Sequence, residues 1–292
     1  MIPPAFDYVA PKTLSEATAL LERYGSDASI LAGGHSLIPL LKLRLASPSV
    51  LVDLNRIPGL GYIREADGFL KIGAMTREAD LEHSDLLRSK YPIIGDTSAM
   101  IGDPLIRNLA TVGGNIAHAD PANDHPATML ALEAEVVATG PSGERRIPMA
   151  GFFTGLYATA LHPGEILIEI RLPIPSPRSG GAYLKLERKV GDFATAAVAV
   201  QVTLGKGGEC EKAGIGLTNV GATPIKARKA EEFLRGKRLD PAMIQEAGRV
   251  AAREAQPQTD DRGSAEYKRD LVRVLTVRGL VRAIERAGGG RS

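Results

Sequence analysis

The sequence has no tryptophan and one cysteine, Cys210, among 292 residues. A lone thiol forms no internal disulfide and cannot ligate an iron–sulfur cluster by itself. Aromatic residues make up 4% of the chain, and the net charge of +2 is scattered rather than gathered into a stripe. Neither suits nucleic acid, which is excluded as a partner. No apolar run approaches the roughly 20 residues that span a bilayer. The opening Met1-Ile2-Pro3-Pro4-Ala5-Phe6-Asp7 lacks the basic head and apolar core of a secretory signal. A cytoplasmic protein, not integral to a membrane, is expected. Gly-x-Ser-x-Gly is absent, and no serine pairs with a histidine by spacing, so any reaction is expected to be carried by a cofactor.

What is present is an ordinary globular composition, 44% hydrophobic and 24% charged, in a chain long enough for two or three modules. Thr13-Leu14-Ser15-Glu16 opens a capped amphipathic helix that Gly25 ends. A strand over 28–31, a helix over 37–45 and a strand over 50–54 complete a small α/β unit. Past Pro58-Gly59, a hairpin turns at Asp67-Gly68. Helices are expected from near Thr76, over 91–100 and over 127–133, with strands over 134–139, 145–147 and 166–172. Residues 173–181, rich in Pro, Ser and Gly, read as a linker. Three strands (183–188, 196–204, 212–217) and helices over 225–234, 241–254 and 265–286 follow. The expected fold class is α+β, with domains over 1–56, 57–175 and 178–292.

Two segments carry the chemistry. Ala32-Gly33-Gly34-His35-Ser36 follows a strand and leads into a helix. Thr111-Val112-Gly113-Gly114-Asn115 leads into Ile116-Ala117-His118-Ala119-Asp120-Pro121-Ala122-Asn123-Asp124. Paired glycines let main-chain N–H groups approach an anion closely, and two such turns on one chain suit a pyrophosphate gripped from both sides. Neither turn is a Walker loop or a Rossmann fingerprint, and Gly214-Ile215-Gly216 lacks a third glycine. Ser36 reads as a helix cap or a phosphate ligand. Thr111 and Asn115 offer a hydroxyl and an amide to phosphate or ribityl oxygens. Asp120 and Asp124 could accept hydrogen bonds from a flavin ring or a sugar, and Asp124 could equally cap a helix ahead of Pro126. His118, Asp120, Asp124 and His125 have donors that suit a divalent metal, but their spacing favours hydrogen bonds that order the loop, so no metal site is expected.

At these residues the chain resembles the FAD-binding medium subunits of molybdenum hydroxylases, the family of xanthine dehydrogenase flavin domains and aerobic carbon monoxide dehydrogenase medium subunits. The resemblance runs through Pro4 to Pro11, the Ala32 turn, Asp53-Leu54-Asn55-Arg56-Ile57, Ile106 to Asn115, the Asp120 to Asp124 turn and Lys185 to Ala194. The Ala117 to Pro126 stretch looks most like the carbon monoxide dehydrogenase members. The resemblance implies a two-subdomain FAD domain of the vanillyl-alcohol-oxidase kind, then a three-stranded antiparallel sheet with a helical bundle. It implies that Leu31, Ala32, Gly33, Gly34, His35, Ser36, Leu37 and Ile38, with Thr111, Val112, Gly113, Gly114 and Asn115, hold non-covalent FAD around its pyrophosphate. Ile101 would lie beside the isoalloxazine, where other members carry phenylalanine. Asp124, Leu167 and Lys185 match further flavin-contacting positions. A cation at Lys185 would favour reduced flavin, unless the residue is simply a solvated lysine on a strand.

The same resemblance implies two partners, a small subunit with [2Fe–2S] clusters and a large subunit with the molybdenum cofactor, as a dimer of heterotrimers. Electrons would pass from a cluster through FAD to a quinone, another acceptor or oxygen, at the inner face of the membrane where the complex docks there. The alternatives are the flavin subunit of an N-heteroaromatic or xanthine-type hydroxylase, a stand-alone oxidase with FAD bonded to His35, and a non-redox nucleotide-binding protein.

Overall fold

The computed structural model describes residues 2–288; Met1 and residues 289–292, the extremes of the expected outer domains, lie outside it. The chain lays down three main sheets in succession. The first unit comprises β1 (Asp7–Val9), α1 (Leu14–Tyr24), β2 (Ala28–Leu31), α2 (Leu37–Lys42) and β3 (Val50–Asp53). Its strands are parallel in the order β1-β3-β2. Thr13 caps α1 by accepting from the Glu16 N–H, and Gly25 ends it at φ +52°. The helix expected over 37–45 stops at Lys42, and Arg44 turns into the left-handed region.

The second unit holds β4 (Ile63–Ala66), β5 (Phe69–Gly73), α3 (Glu78–His83), α4 (Asp85–Lys90), α5 (Pro92–Ala99), α6 (Pro104–Arg107), α7 (Val112–His118), α8 (His125–Ala131), β6 (Glu135–Gly140), β7 (Gly143–Pro148), β8 (Phe153–Gly155), β9 (Ala158–Thr159) and β10 (Ile166–Pro173). The order β4-β5-β10-β6-β7 is antiparallel throughout and puts β10 at the centre. Asp67 and Gly68 both take positive φ, as a tight hairpin between twisted strands requires. The short helices α4, α6 and α7 escape the sequence pattern.

The third unit is β11 (Ser179–Leu186), β12 (Ala196–Leu204), β13 (Cys210–Thr218), β14 (Ile225–Lys226), α9 (Arg228–Leu234), α10 (Pro241–Glu254) and α11 (Ala265–Ala287). Two expectations fail here. Ile225 and Lys226 pair with Leu217 and Gly216 as a fourth strand, so α9 starts only at Arg228. The linker shrinks to residues 174–178, because β11 already begins at Ser179. Alternation along β12 feeds two cores: Val198, Val200 and Val202 join the cluster with α10 and α11, while Ala197 and Ala199 face the cluster that includes α5 and α8. That second face is built for close approach. A Cβ on Gly214 or Gly216 would sit about 2 Å from the carbonyl oxygens of Ala131 and Ala127, so α8 lies directly against β13. This packing seats the N-terminus of α8, where Asp124 stands.

Candidate functional site

A cleft of about 810 Å³ opens where the three units meet, within the range of roughly 300–1,000 Å³ typical of cofactor sites. Both glycine turns lie in it, in direct contact. A Cβ on Gly33 would come within 2.5 Å of the Leu109 carbonyl oxygen and 2.7 Å of the Ala110 Cα. Gly33 is therefore required for close approach, while Gly34, at φ +80°, is required for backbone conformation.

The two turns contribute differently. The N–H groups of residues 33–37 have no hydrogen-bond partner among the described residues, and Ser36 makes no side-chain cap to α2. This turn is a set of free donors. In the second, the expected open loop is the first turn of α7. Thr111 caps it, its hydroxyl accepting from Gly114 N–H at 3.2 Å. The N–H groups of Val112, Gly113 and Asn115 bond to the carbonyls of Thr76, Ala74 and Thr111. The second turn thus lines the cleft with two glycines rather than with main-chain donors, and a Cβ on Gly114 would meet the Thr111 hydroxyl at 2.8 Å. A Cβ on Gly113 would meet Ala74 at 2.5 Å. Its available polar group is the Asn115 Oδ1, buried and without a partner. Asn123, which also lines the cleft, steadies this residue by donating to the Asn115 carbonyl at 2.8 Å.

At one end of the cleft Lys185 meets Asp124. Tyr183 and Lys185 share a face of β11, the strand period carrying Leu184 to the opposite core. Lys185 Nζ donates to Asp124 at 3.1 Å and to the Met100 carbonyl at 3.0 Å, with Glu187 3.3 Å away. The Tyr183 hydroxyl donates to the other Asp124 oxygen. The Lys185 side chain is 1% exposed, which removes the solvated-lysine reading. Asp124 makes no cap to α8; its carboxylate is committed to Tyr183 and Lys185 instead. Burial pushes the Asp124 carboxyl up, against the pull of Lys185 and Tyr183. It pushes the Tyr183 phenol well above its ordinary value, with the Asp124 charge adding to it.

Of the residues singled out in the sequence, Ala32, Gly33, Gly34, His35, Ser36, Leu37, Ile101, Thr111, Gly113, Gly114, Asn115, Asp124, Leu167 and Lys185 line the cleft. Leu31, Ile38, Val112 and Asp120 do not. Val112 is fully buried in the core, and Ile38 is the side chain that a Cβ on Gly34 would strike. Asp120 accepts from the Ala122 N–H and the Tyr157 hydroxyl, ordering its own turn. Sequence reasoning missed Ala74, Met75 and the Gly191-Asp192-Phe193 wall. Only the last stood inside a recognisable segment.

His118 and His125 go separate ways. His118 lies beside the Tyr157 ring, its imidazole pKa lowered by burial, whereas His125 is fully buried against Glu78 at 2.7 Å. Among the described residues no group of three or more His, Cys, Asp or Glu side chains converges as a metal site, and no helix is long and apolar enough to cross a membrane.

The donor set fits FAD. Free N–H groups suit a diphosphate, both glycine pairs line the cleft beside them, and the buried amide oxygen and ion pair can engage the polar parts of a ribityl chain and ring. Known proteins agree. Residues 4–175 match the family described as FAD binding domain in molybdopterin dehydrogenase, and residues 181–283 match the CO dehydrogenase flavoprotein C-terminal domain. The carbon monoxide dehydrogenase medium chain of Afipia carboxidovorans is 48% identical, with 98% of each chain covered. A chain of the solved carbon monoxide dehydrogenase from Hydrogenophaga pseudoflava superposes with a TM-score of 0.95 at 46% identity, over 98% of this chain and 99% of that one. A chain of quinoline 2-oxidoreductase from Pseudomonas putida 86 gives 0.91 at 33% identity, over 99% of both. The chain belongs to the FAD-binding medium-chain family of the molybdopterin dehydrogenases, the CO dehydrogenase flavoproteins.

Proposed function

We propose that this chain is the electron-transferring FAD subunit of an aerobic carbon monoxide dehydrogenase. The observation that carries the reading is a donor-rich turn, residues 33–37, that abuts residues 109–111 through Gly33 and shares one cleft with the Gly113-Gly114 pair just beyond them. Bound FAD would supply redox chemistry able to exchange one or two electrons, between [2Fe–2S] clusters of a small partner subunit and a quinone or other acceptor. The residues of this chain bind, orient and tune. The N–H groups of 33–37 and the Ser36 hydroxyl hold the diphosphate, and Asn115 engages the adjoining ribityl chain. Ile101 and Leu167 present apolar surface to the ring. Lys185 lines the cleft with its charge already shared between Asp124 and Glu187, so its effect on the potential of a bound flavin would be that of a hydrogen-bonded pair rather than a bare cation.

The oxidised substrate would be bound in a large molybdenum-containing subunit, the whole a dimer of heterotrimers in the cytoplasm, docking at the inner face of the membrane. Within this chain we place the domains at 1–56, 57–175 and 178–292. Purification through a tag on this chain, with flavin, iron and molybdenum analysis and a CO-dependent dye-reduction assay, tests the reading. Activity with an N-heteroaromatic ring and none with CO would move the chain to the second reading, which the likeness to quinoline 2-oxidoreductase favours.

A further inference from the structure

The two glycine turns, one from each of the first two units, meet through the close backbone approach at Gly33. Behind them runs a continuous bridge. Asn55 Nδ2 donates to the Ala32 carbonyl, inside the first turn, at 2.9 Å. Arg77 donates through one guanidinium nitrogen to Asn55 Oδ1 and through the other to the Leu109 carbonyl, each at 2.6 Å. Leu109 stands two residues before the Thr111 cap. One carboxamide and one guanidinium therefore join the two turns.

Both ends of the bridge are braced. Asp53 accepts from the Asn55 main-chain and side-chain nitrogens, and the Tyr8 hydroxyl donates to the other Asp53 oxygen. Arg77 is tied to the second turn by its own backbone, forming an antiparallel bridge with Thr111. Its neighbour Glu78 donates to the Ala110 carbonyl, and Thr76 accepts from Val112. Neither Asn55 nor Arg77 lines the cleft.

We propose that Arg77 and Asn55 are positioning residues that lock the two glycine turns in register for the diphosphate of FAD. The inference rests on the FAD reading above and deepens it. The forked guanidinium suits the arrangement, because two nitrogens fixed in one plane each serve a different acceptor at 2.6 Å; a lysine does not reproduce that fixed pair of directions. The two residues act in series, so losing either link breaks the bridge between the turns.

The test uses Arg77→Lys, Asn55→Ala and the double variant, each purified through a tag on this chain with the subunits that accompany it. Asn55 is exposed, so its replacement leaves the core intact. Release of FAD is followed by the recovery of flavin fluorescence, thermal midpoints are measured with and without FAD, and ³¹P NMR reports the bound diphosphate. Each single variant is expected to weaken FAD binding by about tenfold or more, the effect of a lost charge-assisted hydrogen bond. The double variant is expected to match the worse single one, the ³¹P lines to move, and the midpoint gained on adding FAD to shrink. Unchanged FAD release in either single variant overturns the proposal. So do effects that multiply in the double variant, or midpoints that fall equally with and without FAD, which mark a plain structural clamp. A wild-type protein that is colourless and takes up no FAD removes the FAD reading and this proposal with it, whereas a yellow wild type with unaffected variants removes this proposal alone.

Discussion

Replacing Gly33 with alanine separates steric contact from every other role of the glycine turns. Gly33 does not have positive φ, so alanine meets no backbone penalty there. The added methyl would lie 2.5 Å from the Leu109 carbonyl oxygen, 2.7 Å from the Ala110 Cα and 3.0 Å from the Thr111 nitrogen. All three are backbone atoms of the opposing turn, and none can rotate away. Restoring normal contact at about 3.5 Å requires the turns to part by roughly an ångström, at the 1–3 kcal/mol typical of overpacking. The donors of residues 33–37 would then shift relative to the 109–114 segment across the cleft. Urea denaturation should show that loss in stability, and the ratio of flavin absorbance to protein should fall well below one FAD per chain. Gly95→Ala is the matched control: Gly95 lies in α5 with nothing within 4 Å of its ideal Cβ, and alanine there should stabilise the helix by about 0.5–1 kcal/mol with flavin unaffected. Gly33→Ala that keeps full FAD and lies within about 0.5 kcal/mol of wild type would refute the steric reasoning.

Lys185→Met should lower stability by about 3–5 kcal/mol, because it strands the buried Asp124 carboxylate, and it should shift the flavin potential; Lys185→Met with Asp124→Asn should recover part of the stability in urea titrations, and an unchanged potential would remove Lys185 as a tuning group. Cys210 is buried, which raises its thiol pKa from 9.0 to about 11, so it should resist a disulfide reagent at pH 8 in the native state and react once on unfolding. Between pH 9 and 11 the unfolded chain's thiol ionises while the folded one stays protonated, so stability should fall through that window and Cys210→Ser should flatten the decline. Acid precipitation should leave a colourless pellet and a yellow supernatant; a yellow pellet would mean covalent flavin, with the exposed His35 as the attachment point.

The first glycine turn was legible because its three signals agree: an apolar strand, a glycine pair and a helix beyond it. The second misleads because two adjacent glycines disfavour a helix by local propensity. Here Thr111 caps the turn, and Gly113 lets it press against Ala74, so tertiary contact makes α7 helical. The ion pair could not be read locally. A lysine on a strand reads as solvated, and its partner Asp124 lies 61 residues earlier in the chain. Asp120 and Asp124 look equivalent in sequence, yet one is half-buried and orders its own turn while the other is buried in the wall of the cleft. Ile225-Lys226 reads as part of the following helix because two residues are too few to show a strand's alternation; pairing with β13 decides it.

A crystal structure of the protein with FAD bound offers the most direct measurement. The account predicts one FAD per chain, its phosphates within hydrogen-bond distance of main-chain nitrogens from residues 33–37 and packed against the α-carbons of Gly113 and Gly114. Phosphates held elsewhere, or contacted by only one of the two turns, would contradict it.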